Sequence, residues 1–401
     1  MLSNVVVLLR FSMQYHSQLI PAQLSSTSFP PPAHSNAVFL RPLQTACSAN
    51  SSGVVNLRDG VIGTPAGLPY VRELVKLHVR ALITPAISKQ WVTYWNSTSF
   101  HVSLAKSAPC LLKKIYRPYL SNRLVCDDRF SILKAHYQFI GQCSLGALVL
   151  SAAHKPVMLA QFEGKSGAMY QIQLVALTEM EREGELVLQL VNDDVVLCTV
   201  AFTFLAHTDV LSIAIGCLQG GRAAETKENI RFATRDLFGL RPKTMLVRLV
   251  QQLGLQLGCR DVQLVSNANR VVQRQLRKKL VFADYDITWQ ELGAIQYAHG
   301  DYVLPCVELA PPDLTAIASS KRSEAKKRFA LLSEIVTSVT EAIDVEQRSD
   351  AVITETWLDV PSRGAWRRKL YPHVRQCVGF VFQNAAMIAG IQCYLILSPL
   401  A

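Results

Sequence analysis

Between Val157 and Leu218 apolar and polar residues alternate in short runs. In Tyr170–Leu177, Ile172, Leu174 and Ala176 alternate with Gln171, Gln173 and Val175. In Glu185–Val191, Leu186, Leu188 and Leu190 alternate with Val187 and Gln189. A period of two puts successive side chains on opposite faces of an extended strand. Strands are therefore predicted at 157–162, 170–177, 185–191, 195–205 and 210–218. Turn-forming clusters separate them, such as Glu163-Gly164-Lys165-Ser166-Gly167 and Asn192-Asp193-Asp194. Connections this short join antiparallel neighbours, so the strands form a meander. The run 210–218 is apolar on both faces apart from Ser212, which predicts a central strand.

On either side of the meander the period lengthens. Val71, Leu74, Val75, Leu77, His78 and Leu82 suit an amphipathic helix ending at Thr84-Pro85. Further helices are predicted at 87–95, after Ala108-Pro109, and at 130–140. After the central strand come a helix over 223–238, Gly239 as its C-cap, and a helix opened by Pro242 and ended by Gly258. A strand at 262–265 follows, then a basic helix over 271–280. Asp284–Trp289 reads as a strand end or turn and 296–304 as a hairpin strand. Residues 319–343 read as a charged amphipathic helix. The predicted class is α+β: a helical N-terminal part, then an antiparallel meander and mixed sheet with packed helices. The predicted divisions are a disordered or foreign leader (1–66), a helical subdomain (67–141), a sheet domain (142–310), the charged helix (311–343) and a C-terminal extension (344–401).

Composition sharpens this in three places. The first acidic residue is Asp59, which sets the Ser/Ala/Pro-rich leader apart. From Arg222 to Lys279 there are 13 Lys/Arg against 4 Asp/Glu, within a chain of net charge +11. Such a stretch suits an anionic small molecule, an anionic lipid or a membrane surface; a set of solvated helix faces accounts for it equally. Aromatic residues are not interleaved with the cations, which disfavours nucleic acid. The ten cysteines form no C-x-x-C pair, so neither a zinc ribbon nor a disulfide framework is expected, and no metal. That usage fits a reducing, cytoplasmic setting, with inner-membrane association through a basic face as the variant. Residues 376–401 carry no charge, but Gln383, Asn384 and Gln392 interrupt them, so no membrane span is expected there.

One stretch looks suited to an anion. In Phe238-Gly239-Leu240-Arg241-Pro242-Lys243 two cations sit where a helix begins, beside unpaired N–H groups and the positive end of the helix dipole. Gly239, Arg241 and Lys243, with Gln219 and Asn267, are the candidate cofactor-binding residues. A plain helix–helix turn accounts for the same residues. His136, Asp284, Tyr285 and Asp286 are the candidates for proton transfer. No Walker A, H-E-x-x-H or G-x-S-x-G pattern is present.

Several spaced stretches resemble the VirK/YbjX family. They are Ile215-Gly216-Cys217-Leu218-Gln219-Gly220, Gly239-Leu240-Arg241-Pro242-Lys243, Val265-Ser266-Asn267, Tyr285-Asp286-Ile287-Thr288-Trp289 and Lys321-Arg322-Ser323-Glu324-Ala325-Lys326-Lys327-Arg328. His136-Tyr137-Gln138-Phe139 resembles the family's upstream His-Tyr-x-Phe element. The resemblance covers 67–343. It implies a bacterial protein tied to virulence and to envelope resistance against antimicrobial peptides, and it implies no particular reaction. A second resemblance, to the GCN5-related N-acetyltransferases, implies acyl-coenzyme A as cofactor, its pyrophosphate on 239–243. Here the turn is separated from the strand by about 20 residues and the glycine signature is incomplete. Two expectations follow: an acyltransferase using a phosphate-bearing donor, or a non-enzymatic envelope-associated factor whose basic face meets anionic lipid or a partner protein.

Overall fold

The computed structural model describes residues 53–177, 180–207, 210–220, 224–272 and 284–353. The expectations for residues 1–52, for most of the basic stretch 271–280 and for 354–401 lie outside the described residues.

The chain opens with helices. A 3-10 turn, Leu57–Val61, leads to α1 (Leu68–Ile83), α2 (Pro85–Trp95) and α3 (Ser99–Ser107). Proline stands in the first turn of α1 and α2, where its missing N–H costs nothing. Thr98 caps α3, its hydroxyl accepting from His101 N at 3.2 Å. A 3-10 stretch, Pro109–Tyr116, precedes α4 (Cys126–Gln142) and α5 (Gly146–His154).

The sheet follows: β1 (Val157–Glu163), β2 (Met169–Ala176), β3 (Leu186–Asn192), β4 (Val195–His207) and β5 (Val210–Gly220). These pair antiparallel in sequence order, as their alternation predicts. Helices α6 (Ala224–Asp236) and α7 (Pro242–Gln256) carry the chain across to β6 (Asp261–Leu264), which lies parallel to β5. The hairpin β7 (Ile295–Gln296) and β8 (Tyr302–Pro305) completes the mixed sheet in the order β1-β2-β3-β4-β5-β6-β8-β7.

Two readings change. Asp284–Trp289 is no strand end: Asp284 caps a helix, α8 (Tyr285–Glu291), through its side chain. The charged helix runs on past residue 343, as α9 (Ser319–Ile353). One hydrophobic cluster extends from Val55 and Val61 through the N-terminal helices and the sheet to Ile343. Burial of Val55 and Val61 sets residues assigned to the leader into that core.

The two faces of the sheet differ. Leu159, Leu174, Leu186, Phe202 and Phe204 meet α4, α5, α7 and α9 around an apolar-lined void of about 20 Å³. On the other face Val187, Ala201 and Cys217 are covered by Met180, from the loop between β2 and β3. The register also aligns Gln173, Gln189, Thr199 and Gln219 there, one neighbour per strand from β2 to β5.

Candidate functional site

β5 and β6 stay together for four residues only, Ser212–Ile215 against Asp261–Leu264. Val265 N then donates to Ile215 O at 3.1 Å, and the strands part. At that point β5 bulges against β4: Ala201 faces Cys217 and Phe202 faces Ile215, so Gly216 is the extra residue. Glycine is needed because a Cβ at Gly216 would overlap the Glu183 carbonyl oxygen. Beyond the bulge the backbone of Leu218 turns away from β4, toward the gap that β6 has left. Gly220, two residues on, faces the same way.

Two aromatic side chains of α8 fill this gap. Leu218 N donates to Tyr285 Oη at 2.7 Å, and Trp289 Nε1 donates to Val265 O at 3.0 Å. Side chains thus satisfy the backbone groups that the strand pair stops sharing. Both rings are buried, 5.4 Å apart. The Arg270 guanidinium lies 3.7 Å from the centre of the Tyr285 ring and is itself buried, a geometry in which cation–π attraction is at its strongest.

Tyr285 Oη donates to Cys217 Sγ at 3.4 Å, and Gln219 Nε2 reaches the same sulfur at 2.9 Å. Burial, reinforced by the neighbouring Cys217, pushes the Tyr285 phenol well above its ordinary value. Burial pushes the Cys217 thiol up as well, with Glu183 adding to the effect. Near neutral pH both are neutral, and Tyr285 keeps its proton.

Asn267 sets the position of α8. Its Oδ1 accepts from Tyr285 N (3.0 Å), its Nδ2 donates to Asp284 Oδ1 (2.8 Å), and its backbone N donates to Asp286 Oδ1 (3.0 Å). Asp284 Oδ1 also accepts from Ile287 N at 3.2 Å. Asn267, Asp284 and Asp286 form a clasp between the end of β6 and the start of α8.

Gly239 closes α6 at φ 76°, donating to Thr234 O at 2.8 Å. Arg241 precedes Pro242, the first residue of α7, and its guanidinium pairs with Glu291 at 2.8 Å on the surface. Glu291 is the last residue of α8, so this pair joins the start of α7 to the helix that fills the gap. Lys243 is half-buried, and its charge acts on the Cys198 thiol, opposite Gly220 in the ladder. The structure therefore brings Gln219, Asn267, Asp284, Tyr285, Asp286, Arg241 and Lys243 to the region where β5 and β6 separate.

His136 lies elsewhere, against β4. It is fully buried and stacked on Phe204, with Nδ1 accepting from Phe204 N at 3.1 Å. That bond leaves the proton on Nε2, which has no partner among the described residues. Burial lowers its pKa to about 4. Beside it lies a buried group that no sequence pattern signals. Lys114 Nζ donates to Glu185 Oε1 at 2.7 Å, Tyr137 donates to Glu185 Oε2, and Tyr119 and Thr203 share a 2.7 Å bond. The roles of Cys217 and Arg270 beside Tyr285, and the alignment of Gln219 with Gln189 and Thr199, come from tertiary contact and cross-strand register and have no signal in the sequence. Among the described residues no group of three or more His, Cys, Asp or Glu side chains could hold a metal ion, and the described cysteines are free thiols.

The family model described as "Protein of unknown function (DUF535)" matches residues 67–341. The chain belongs to this family. The uncharacterised protein YbjX of Escherichia coli K12 is 28% identical over 269 residues, which is 65% of this chain and 80% of YbjX. An uncharacterised protein of Haemophilus influenzae is 32% identical over 147 residues, 37% of this chain and 46% of that one. The VirK/YbjX resemblance of the motifs is thus a family relationship. Among solved structures, two variants of a cAMP-binding acyltransferase from Mycobacterium smegmatis overlap 52% of this DUF535 chain at 9% identity, with TM-scores of 0.22 and 0.21. This chain spans about three-fifths of their length. An overlap so loose transfers no activity. No helix among the described residues is long and apolar enough to cross a membrane.

Proposed function

We propose that this DUF535 protein transfers an acyl group from an acyl-coenzyme A to an amine or hydroxyl acceptor at the parting of β5 and β6. One observation carries the reading: a parallel strand pair opens at a glycine bulge and turns the backbone of Leu218 and Gly220 toward the gap, below the start of α7. The pantetheine arm of a coenzyme A is an extended chain with two amides, so it can pair with the strand at Gly220 as a short strand would, beyond the Leu218 N–H that Tyr285 already holds. Its phosphates would meet the N-terminus of α7, Arg241 and Lys243. Arg241 would exchange Glu291 for phosphate on binding.

The acceptor's lone pair attacks the thioester carbonyl carbon, the C–S bond breaks, the leaving thiolate takes up a proton from a donor, and the proton shed by the acceptor's N–H or O–H returns to that donor, so the proton count closes. Tyr285, held neutral by burial, is the donor at hand. Supply of that proton from a group positioned next to the sulfur lowers the barrier to C–S cleavage. Glu291, already bound to an exposed Arg241, favours a second reading: a non-enzymatic protein whose basic face meets anionic lipid or a partner protein.

Calorimetric titration of the full chain with coenzyme A separates them. Micromolar binding that falls about 10-fold or more in Arg241→Ala, and recovers only in part in Arg241→Lys, is the expected result, since lysine lacks the two-pronged fork. Equal affinity in all three proteins, or none, would leave the second reading.

A further inference from the structure

Helix α1 presents apolar residues to both sides. Leu77 is buried in the core and Leu74 packs against it, as the inward face of a surface helix should. Yet Leu68, Val71, Val75, Val79, Leu82 and Ile83 are all exposed, with Leu68 at 85% and Leu82 at 77% of full accessibility. Their spacing is three or four residues until the final step. At 100° per residue they fall in one arc of about 120°, opposite Leu77. Ile62, just before the helix, is exposed too. Scattered exposed aliphatics are ordinary, but a continuous stripe along 16 residues marks a contact surface.

Charge identifies what the stripe meets. Arg72, Lys76 and Arg80 follow one flank of the arc at spacings of four, all exposed. Glu73 is the single acidic residue of the helix and is shared among Arg72, Lys76 and Arg117. Between Gly53 and Leu124 there are 10 Lys/Arg and 2 Asp/Glu. An apolar arc bordered by cations on a helix too short and too charged to span a bilayer is the arrangement of a helix lying in the plane of an anionic membrane surface. A second copy docked antiparallel on this face would bring the cationic flank against itself. The uncharged run 376–401 offers those cations no counter-charge.

We infer that α1 is an interfacial helix. It seats the protein on anionic lipid with Leu68, Val71, Val75, Val79 and Leu82 in the acyl boundary and Arg72, Lys76 and Arg80 at the headgroups. The inference does not depend on the acyl-transfer reading.

The test uses the full chain in co-sedimentation with vesicles of phosphatidylcholine alone and of phosphatidylcholine with 30% phosphatidylglycerol. Wild type should bind the mixed vesicles at least 10-fold more strongly than the neutral ones. Val71→Asp/Val75→Asp should lose that binding with an unchanged melting temperature, because both side chains are already in water. Arg72→Gln/Lys76→Gln/Arg80→Gln should lose the preference for anionic lipid. A tryptophan placed by Val75→Trp should shift to the blue and be quenched by brominated lipid. Equal vesicle binding by wild type and the aspartate variant would overturn the inference, as would an absence of quenching at position 75. A wild-type dimer that the aspartate variant turns to monomer, with no vesicle binding by either, would also overturn it and assign the face to a second copy.

Discussion

At the scale of single residues, Tyr285 has the most to lose. Its hydroxyl accepts from Leu218 N and donates to Cys217 Sγ, in a place that water does not reach. Tyr285→Phe keeps the ring against Arg270 and strands the Leu218 N–H, which should cost about 1–3 kcal/mol in urea unfolding. In an acyl-transfer assay the same change should lower the rate while coenzyme A affinity stays put. Lys114 and Glu185 present a different case, two buried charges facing each other. Lys114→Met alone leaves Glu185 unpaired and should cost about 3–5 kcal/mol; Lys114→Met/Glu185→Leu should recover most of it. The two singles and the double, compared in one cycle, measure this directly. Acid sensitivity has its source in histidine. Burial lowers both His101 and His136 from 6.5 to about 4, so unfolding takes up protons between those values. Stability contributed by the neutral rings is complete above pH 6.5 and is lost as pH falls toward 4. Each should add a slope of about 1.4 kcal/mol per pH unit within that window. His136→Gln should remove its half of the slope in unfolding measured from pH 7 to 4.

At the scale of elements, the bulge in β5 is the point on which the site turns. It lets Gly216 pass against the Glu183 carbonyl and rotates Leu218 toward the gap. Gly216→Ala has no room for its methyl group and should destabilise by about 1–3 kcal/mol, read as a lower melting temperature. The strands themselves were legible in the chain because half-buried strands alternate and turn residues punctuate them. α8 was not. Its seven residues, Tyr285–Glu291, make barely two helical turns, too short for a 3.6-residue period to show, and Ile287 and Thr288 favour strands. What makes it helical is tertiary: Asn267, 17 or more residues earlier, clasps its first turn, and the gap between β5 and β6 takes its two rings.

At the scale of the molecule, the helices and sheet share one core whose ends are Val55 and Ile343. Asn96 grips Val55 through both of its backbone polar groups, at 2.7 and 2.8 Å. A fragment of residues 53–353 should therefore unfold cooperatively and at higher denaturant than one of residues 67–343, which loses Val55, Val61 and the end of α9. Chemical unfolding of the two fragments side by side checks this.

Sequence alone determined what repeats or punctuates: the meander, the apolar central strand, the break at Thr84-Pro85, the proline-led start of α7, the glycine that closes α6, and the family. It also held the candidate residues Gln219, Arg241, Asn267 and Tyr285, as members of separate motifs. Only the tertiary structure decided that these motifs converge where β5 leaves β6, that Asp284 and Asp286 serve a clasp, and that His136 lies apart beside a buried Lys114–Glu185 pair. It also decided which apolar side of α1 faces water, since the pattern marks an amphipathic helix without saying which side packs. Periodicity is a local property carried by neighbours in the chain. The clasp at Asn267 and the buried charge pair are made by residues 17 and 71 positions apart, and their meeting depends on register and on the path of the crossover.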